Sequence, residues 1–175
     1  SGKLTTTFPR SVGQLPLFYN HLNTGRPDPD SRMFNRYASN YLDESNEPLY
    51  PFGYGLSYTD FVYGELQISS ETLPKNGELT VSVTVTNKGN YDGYETVQLY
   101  LHDIYAEIAR PVKELKGFER VFLKSGESRD VKFVITEDDL KFYNSELHYV
   151  YEPGEFDVMV GPNSRDVQTK SFQAK

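Results

Sequence analysis

The sequence contains no cysteine and no tryptophan, and its hydrophobic residues never form a long run. Without cysteine the chain can form neither disulfides nor thiolate metal sites, although this does not assign a compartment, because many exported proteins also lack cysteine. No apolar stretch approaches the roughly 18 residues of a membrane-spanning helix. Residues 1–10 also lack the apolar core of a signal peptide. We therefore predict no contact with a membrane.

Basic residues are in the minority and are scattered along the chain. There are 25 acidic and 18 basic residues, and the formal net charge is −7. A protein that binds nucleic acid usually gathers its lysines and arginines on one face, so nucleic acid is not a predicted partner. His21, His102 and His148 are too far apart to suggest a metal site, and no glycine-rich phosphate loop is found. We predict no metal and no cofactor.

Aromatic residues, in contrast, are abundant, with 14 Tyr and 11 Phe, which favours strands. From residue 61 onward, aliphatic and polar residues alternate between turn signals, and a two-residue period is typical of a half-buried strand. Four segments alternate clearly: Leu79–Val85, Val97–Leu101, Val131–Ile135 and Phe156–Val160. Three weaker candidates are Phe61–Ile68, Leu115–Leu123 and Val167–Phe172. The pattern predicts an all-β fold, an immunoglobulin- or fibronectin type III-like sandwich of about seven strands.

One short helical turn is expected between these strands. Thr136 precedes three acidic residues, which is the pattern of a helix N-cap with an acid at the third helical position. We expect Leu140 and Tyr143 to point inward from this turn. The adjacent pair Asp138 and Asp139 could suggest acid/base chemistry, but a role at the helix start explains it better.

The first 60 residues are rich in proline and glycine, which interrupts both helix and strand periodicity. Leu4–Phe8 and Leu15–Tyr19 are short β-prone runs, and a single helical turn around Met33–Tyr37 is a further expectation. Because this segment carries many rings, we expect an extended N-terminal arm that wraps a folded body.

Three motifs carry a resemblance to a known family. They are Phe8–Gln14 with its continuation to Asn23-Thr24-Gly25-Arg26-Pro27, then Leu49-Tyr50-Pro51-Phe52-Gly53-Tyr54-Gly55-Leu56-Ser57-Tyr58, and Arg110–Phe118. They resemble the C-terminal region of glycoside hydrolase family 3 β-glucosidases of the bacterial periplasmic type. The resemblance implies a remnant strand of an upstream α/β-sandwich domain at 1–20, a linker at 21–60 and a fibronectin type III-like domain at 61–175. It also implies a periplasmic or extracellular location.

The resemblance implies that the catalytic groups lie elsewhere. Family 3 enzymes are retaining glycosidases, whose two carboxyl groups lie about 5 to 5.5 Å apart on domains upstream of this region. No position of this chain matches either motif, so we expect no catalytic residue and no enzymatic activity of its own. The implied role is that of a structural accessory domain. Carbohydrate binding by the sandwich and residual hydrolysis are the alternatives.

Six rings near the second motif are candidate contact residues: Tyr37, Tyr41, Tyr50, Phe52, Tyr54 and Tyr58. Tyrosine rings can stack on sugars or pack between domains. Packing against the upstream catalytic domains is favoured, because rings scattered among prolines and glycines are typical of a chain that wraps a surface. A contribution to the rim of a site that binds oligosaccharide is the second interpretation.

The run Leu4–Phe8 raises a separate expectation. In the family it would lie in the sheet of the upstream domain, so its backbone needs another partner here. We expect it to pair with the sandwich edge or with a second copy of the chain, which would allow self-association through the arm.

Overall fold

The computed structural model describes residues 2–23, 26 and 37–175. The helical turn expected around Met33–Tyr37 therefore lies, except for Tyr37, outside the described residues. Within these residues, no helix is both long enough and apolar enough to cross a membrane.

Strands make up nearly all of the regular secondary structure in the described residues. In chain order these are β1 (Phe61–Tyr63), β2 (Gln67–Ile68), β3 (Thr72–Leu73), β4 (Leu79–Asn87), β5 (Gly93–Asp103), β6 (Glu114–Leu123), β7 (Ser128–Ile135), β8 (Phe142–Tyr143), β9 (Tyr149–Val150), β10 (Gly154–Gly161) and β11 (Gln168–Ala174). A short helix, α1 (Glu137–Leu140), follows β7, and one 3-10 turn covers Val12–Gln14.

Two sheets form the sandwich. In the first sheet β4 pairs antiparallel with β7 along its length, and with β1 and β2 at separate points. The second sheet has the order β3-β11-β10-β5-β6, in which only the β3–β11 pairing is parallel. Strands β8 and β9 make a separate small hairpin. The predicted β-sandwich is confirmed.

The core lies between the sheets and follows the predicted alternation. Leu79, Val81, Val83 and Val85 of β4 are buried, and Val97 of β5 faces them from the second sheet. All seven predicted segments contain strand. The segment predicted at 61–68 is divided into β1 and β2, and the very short strands β3, β8 and β9 were not predicted.

The predicted helical turn is confirmed at α1, with one error. The carboxylate of Asp139 accepts hydrogen bonds from the backbone N–H of Thr136 (2.8 Å) and from its hydroxyl (3.0 Å), which caps the helix. Leu140 is buried as expected, but the inward orientation of Tyr143 is wrong, since its side chain is 62% exposed. The helix ends at Leu140, and in the following strand alternate side chains point to opposite sides. Phe142 takes the inward position instead.

The expected pairing of Leu4–Phe8 with the sandwich edge is wrong, because the segment pairs with another part of its own chain. Its pairing with a second copy stays a prediction. The N–H of Leu4 donates to Tyr54 O (2.8 Å), and the N–H of Phe8 donates to Tyr50 O (2.9 Å). Residues 49–54 thus provide the hydrogen-bond partners for the backbone of Leu4 and Phe8, in place of the sandwich edge. Leu15–Tyr19 does not form a strand, and Pro16 within it has no N–H to donate.

Candidate interdomain surface

The described residues that precede β1 form an extended segment that crosses the second sheet; we call residues 2–23, 26 and 37–60 the arm. The effect of the arm is clearest on β5. Val97 and Leu99 face the core, so Gln98 and Tyr100 point to the opposite face. Both are nevertheless buried, with 3% and 0% of their surface exposed. Since a polar residue on an outer face ordinarily meets water, this strand is covered on both sides.

Gln98 links the sheet to the arm through its amide group. Its Nε2 donates to the carbonyl of Gly53 in the arm (3.1 Å) and to the carbonyl of Pro162 in the loop after β10 (2.7 Å). Its Oε1 accepts the hydroxyl of Tyr100 (2.5 Å). Gly53 has a φ of +78°, and a Cβ at this position would lie 2.0 Å from Gln98 Oε1. Glycine is therefore required both for the backbone conformation and for the close approach.

Aromatic rings complete the contact beside Gln98. The ring of Tyr19 stacks on that of Phe52, with centroids 4.2 Å apart, and meets Tyr100 edge-on at 5.9 Å. The Tyr19 hydroxyl accepts a hydrogen bond from the N–H of Leu115 on β6 (3.3 Å). Burial raises the pKa of the Tyr100 hydroxyl above its ordinary value. The arm is thus packed onto the sheet by side chains from two separate parts of its length.

A charged pair holds the beginning of the arm. Lys3 Nζ lies 3.1 Å from Glu95 Oε1 on β5 and also donates to Pro162 O (3.2 Å). The Tyr63 hydroxyl donates to the same carboxylate oxygen of Glu95 (3.0 Å). Burial, together with this carboxylate, raises the pKa of Tyr63. Glu95 therefore connects the arm with strands from both sheets.

A cleft of about 210 Å³ opens between the arm and the sandwich. Its charged lining residues are Glu47 of the arm with Lys113 and Arg165 of the sandwich. Lys113 Nζ donates to the carbonyl of Ser164 (2.7 Å). Burial lowers the pKa of Lys113, while the carboxylate of Glu47 opposes this change. Across the described part of the chain, no group of three His, Cys, Asp or Glu side chains could hold a metal ion.

The six candidate rings occupy different environments. Phe52 lies in the contact with Tyr19. Tyr50 and Tyr54 stack on each other at 5.0 Å on the outside of the arm. Tyr37, Tyr41 and Tyr58 are 69%, 39% and 97% exposed. Sequence reasoning did not select Tyr19, Lys3 or Gln98, which hold the arm in place.

The outward side of the arm is rich in large apolar side chains. More than half of the large hydrophobic side chains that are exposed in the described residues belong to the arm: Phe8, Val12, Leu15, Phe18, Leu22, Tyr37, Tyr41, Leu42, Leu49, Tyr50, Leu56 and Tyr58. Val12 and Leu42 are 83% and 81% exposed. A shallow pocket of about 420 Å³ lies among them, lined by Phe8, Tyr50, Tyr54 and neighbouring residues. An exposed apolar surface of this kind is typical of a protein–protein interface.

The comparisons with known proteins agree with this architecture. The model of a fibronectin type III-like domain matches residues 95–164. A periplasmic β-glucosidase of Salmonella typhimurium is 51% identical over 173 residues, which cover 99% of this chain. The chain corresponds to the C-terminal region of glycoside hydrolase family 3 proteins. A putative β-xylosidase of Formosa agariphila is 44% identical to this family 3 region over 175 residues.

Solved structures give the same result. The β-glucosidase of Listeria innocua in complex with glucose superposes on 99% of this family 3 region with a TM-score of 0.89 and 47% identity. The chain spans 22% of the length of the Salmonella and Formosa relatives and 24% of the Listeria chain. The matched relatives are therefore much larger proteins, and the sandwich with its arm corresponds to one part of them.

Proposed function

We propose that this chain is a non-catalytic accessory region of a family 3 β-glucosidase, which supports the catalytic domains of the same protein. The parent enzyme would hydrolyse terminal β-D-glucosyl residues with retention of configuration. In this proposal, residues 1–20 complete an upstream domain, residues 21–60 link it to the sandwich, and residues 61–175 form the fibronectin type III-like domain.

The apolar outer side of the arm is the observation that carries the proposal. Phe18 and Val12 are 60% and 83% exposed, yet the arm itself is fixed to the sandwich through Lys3 and Tyr19. A segment that is fixed on one side and apolar on the other is suited to hold a second body against the first. The upstream catalytic domains are the partner that the relatives' greater length supports.

Such a contact would act on catalysis through geometry. A displacement near 1 Å at the reacting groups can cost about 100-fold in rate. By fixing the end of an upstream domain against a rigid sandwich, the arm would limit such displacements without touching the substrate.

Differences among the relatives support a role that is independent of the sugar. The Salmonella protein is named for glucosides, the Formosa protein for xylosides, and a Bifidobacterium longum protein, 37% identical to this chain, for arabinopyranosides. Since this region is alike in all three, we assign sugar selection to the rest of the parent. We also propose a periplasmic or extracellular location, which the name of the Salmonella protein supports.

Two measurements test the accessory role. Purified on its own, the chain should give no release of p-nitrophenol from p-nitrophenyl β-glucoside even at high protein concentration. In the full-length protein that contains it, Val12→Ser with Phe18→Ser should lower the melting temperature and kcat/KM, whereas Tyr91→Ser, at a 67% exposed position of the sandwich, should change neither. Turnover by the chain alone, or equal effects of the two changes, would refute the proposal.

Carbohydrate binding by the arm rings is the second candidate function. Tyr58 favours it, because its side chain is 97% exposed and its ring could stack on a sugar face. Binding of cellobiose to the chain that is lost in Tyr58→Ala would support this function, and binding that persists in that variant would count against it.

A further inference from the structure

A pair of aromatic rings on the sandwich lies exposed beside the arm. Tyr94 of β5 and Phe122 of β6 stand opposite each other in the second sheet, and their ring centroids are 5.0 Å apart. Both rings lie on the outer face of this sheet, the face that the arm covers at Gln98. Tyr94 and Phe122 are 42% and 39% exposed, so the arm leaves this part of the face open.

Arg120 adds a positive charge to the ring pair. Its guanidinium lies over the ring of Tyr94, 3.9 Å from the centroid. Arg120 is exposed, and no ion pair joins it to a carboxylate of the described residues. Tyrosine and arginine are the residues that most often dominate the binding energy of a protein interface. A surface with apolar side chains around one carboxylate would complement this group.

Leu56 connects the ring pair with the arm. Leu56 and Tyr94 line the same hollow of about 470 Å³. Leu56 also lines the shallow pocket that contains Tyr50 and Tyr54, and its own side chain is 77% exposed. A continuous series of apolar side chains therefore runs from the arm onto the sandwich. We call Tyr50, Tyr54, Leu56, Tyr94 and Phe122 the strip.

Residue 2 lies beside the middle of this strip. Gly2 lines the pocket together with Leu56, and a Cβ added to Gly55 would lie 2.6 Å from the Gly2 carbonyl oxygen. Lys3 is held at 3.1 Å by Glu95, the residue that follows Tyr94. In the proposed function the catalytic domains precede these residues. Because consecutive Cα atoms are only about 3.8 Å apart, those domains continue from a point beside Leu56 and are the body nearest to the strip.

We propose that the strip is a single interface, and that the catalytic domains of the same protein cover it with apolar side chains and with a carboxylate that pairs with Arg120. This inference rests on the proposed function but goes beyond it, because it makes β5 and β6 of the sandwich part of the contact. A contact with the arm alone would leave rotation about the arm unrestrained. A second contact on the sandwich would fix the orientation of the catalytic domains.

Hydroxyl-radical footprinting with mass spectrometry tests the proposal, since side chains are oxidised according to their exposure. Leu56, Tyr94 and Phe122 should be oxidised about threefold more slowly, or less, in the full-length protein than in the purified chain, because the core of an interface is closed to water. Tyr143 and Tyr149 are the matched control. Their centroids are also 5.0 Å apart and they are 62% and 54% exposed, but they lie on the separate hairpin. They should be oxidised equally in both proteins.

A substitution tests the charged part of the contact. Arg120→Gln should reduce the protection of Phe122, the ratio of its oxidation rates in the purified chain and the full-length protein, by about half or more, because the partner carboxylate loses its cation. The same substitution is measured in both proteins, so a direct effect of the side chain on its neighbours cancels. Lys132→Gln, at an exposed position of β7, should leave the ratio unchanged. Footprinting of the unaltered protein keeps the test decisive if Arg120→Gln does not fold.

The outcomes separate this inference from the accessory role. Equal oxidation of Tyr94 and Phe122 in the two proteins would overturn it, and protection of Phe18 in the same experiment would show that the arm still contacts the catalytic domains. Exposure of Phe18 as well would count against both. Equal protection of the strip and of the control pair would also contradict the inference. So would protection that disappears on dilution together with a dimer in light scattering, because a second copy would then cover the strip.

Discussion

The side-chain amide of Gln98 donates a hydrogen bond of 3.1 Å to the main-chain carbonyl of Gly53, and so joins strand β5 of the second sheet to the arm. The two residues lie 45 positions apart in the chain. Because the amide is buried, neither Gln98 nor the carbonyls that it binds can exchange this hydrogen bond for one to water.

Replacing this amide should be costly. Gln98→Leu leaves the carbonyls of Gly53 and Pro162 without this donor and removes the acceptor of the Tyr100 hydroxyl. We expect the free energy of unfolding to fall by about 2 to 4 kcal/mol, as measured by urea denaturation. Gln173→Leu, at an exposed position of β11, should change it by less than about 0.5 kcal/mol. Similar values for the two variants would mean that Gln98 does not hold the arm.

Two glycines with nearly the same backbone φ allow the energetic cost of the contact between Gly53 and Gln98 to be measured. Gly53 has a φ of +78° and Gly126 a φ of +79°, but a Cβ on Gly126 would meet nothing within 4 Å. Gly126→Ala should cost only the conformational penalty, about 1 to 2 kcal/mol. Gly53→Ala adds the collision with Gln98, so it should cost clearly more in thermal denaturation.

The Gly53→Ala variant should also loosen the arm locally. The amide of Leu4, which donates to Tyr54 O, should exchange with deuterium faster than in the parent chain. Unchanged exchange in Gly53→Ala, or equal costs of the two glycine changes, would contradict a tightly packed arm.

Stability should fall at alkaline pH through Tyr63 and Tyr100, whose hydroxyls are shielded from water. The pKa values of Tyr63 and Tyr100 are raised in the folded protein, from an ordinary value of 10.0. The unfolded chain therefore loses these protons first, and the stabilisation, complete below pH 10, is lost as the pH rises towards the folded pKa values. Each tyrosine should contribute a slope of up to about 1.4 kcal/mol per pH unit above that value.

Phenylalanine substitutions identify the groups responsible. Tyr63→Phe and Tyr100→Phe should each flatten the decline of the melting temperature above the ordinary tyrosine pKa. Tyr58→Phe, at a position that is 97% exposed, should leave the profile as it is. A decline that neither buried substitution alters would show that other groups cause it.

The cap of α1 gives a further prediction. Asp139→Ala removes the acceptor for the N–H and hydroxyl of Thr136, and should lower the free energy of unfolding by about 1 kcal/mol. Asp138→Ala is the control, because this carboxylate is 82% exposed and pairs only with Lys141 at the surface. It should cost about 0.5 kcal/mol or less in the same denaturation experiment. The reverse order of the two effects would be inconsistent with the cap.

The sandwich could be predicted from the sequence because its signals are local. The alternation of aliphatic and hydroxyl side chains in β4 directly predicts which residues face the core. By the same rule Gln98 and Tyr100 of β5 point away from the core, but the rule does not indicate that both are buried there. What covers them is a segment far away in the chain, and no local pattern carries that information.

The candidate surface was predicted only in part for the same reason. The motif around Gly53 indicated that rings gather there, but not which side of the arm each ring would take. Phe52 packs inward on Tyr19, whereas Tyr50 and Tyr54 stack on the outside. The exposure of Tyr143 was missed because the helix stops at Leu140 and the chain changes to a two-residue period.

The outer faces of the two sheets differ in how much change they can accept. On β4 the hydroxyls of Thr84 and Thr86 lie at the surface beside Asp130 and Ser128, where many polar residues would serve equally well. Under the arm, Gln98 and Tyr100 of β5 are each matched to a specific group. In a library of random variants, substitutions on the outer face of β4 should therefore be tolerated, whereas substitutions of the β5 residues under the arm should unfold the protein. The pattern of tolerated substitutions would then show which outer face is covered by another segment.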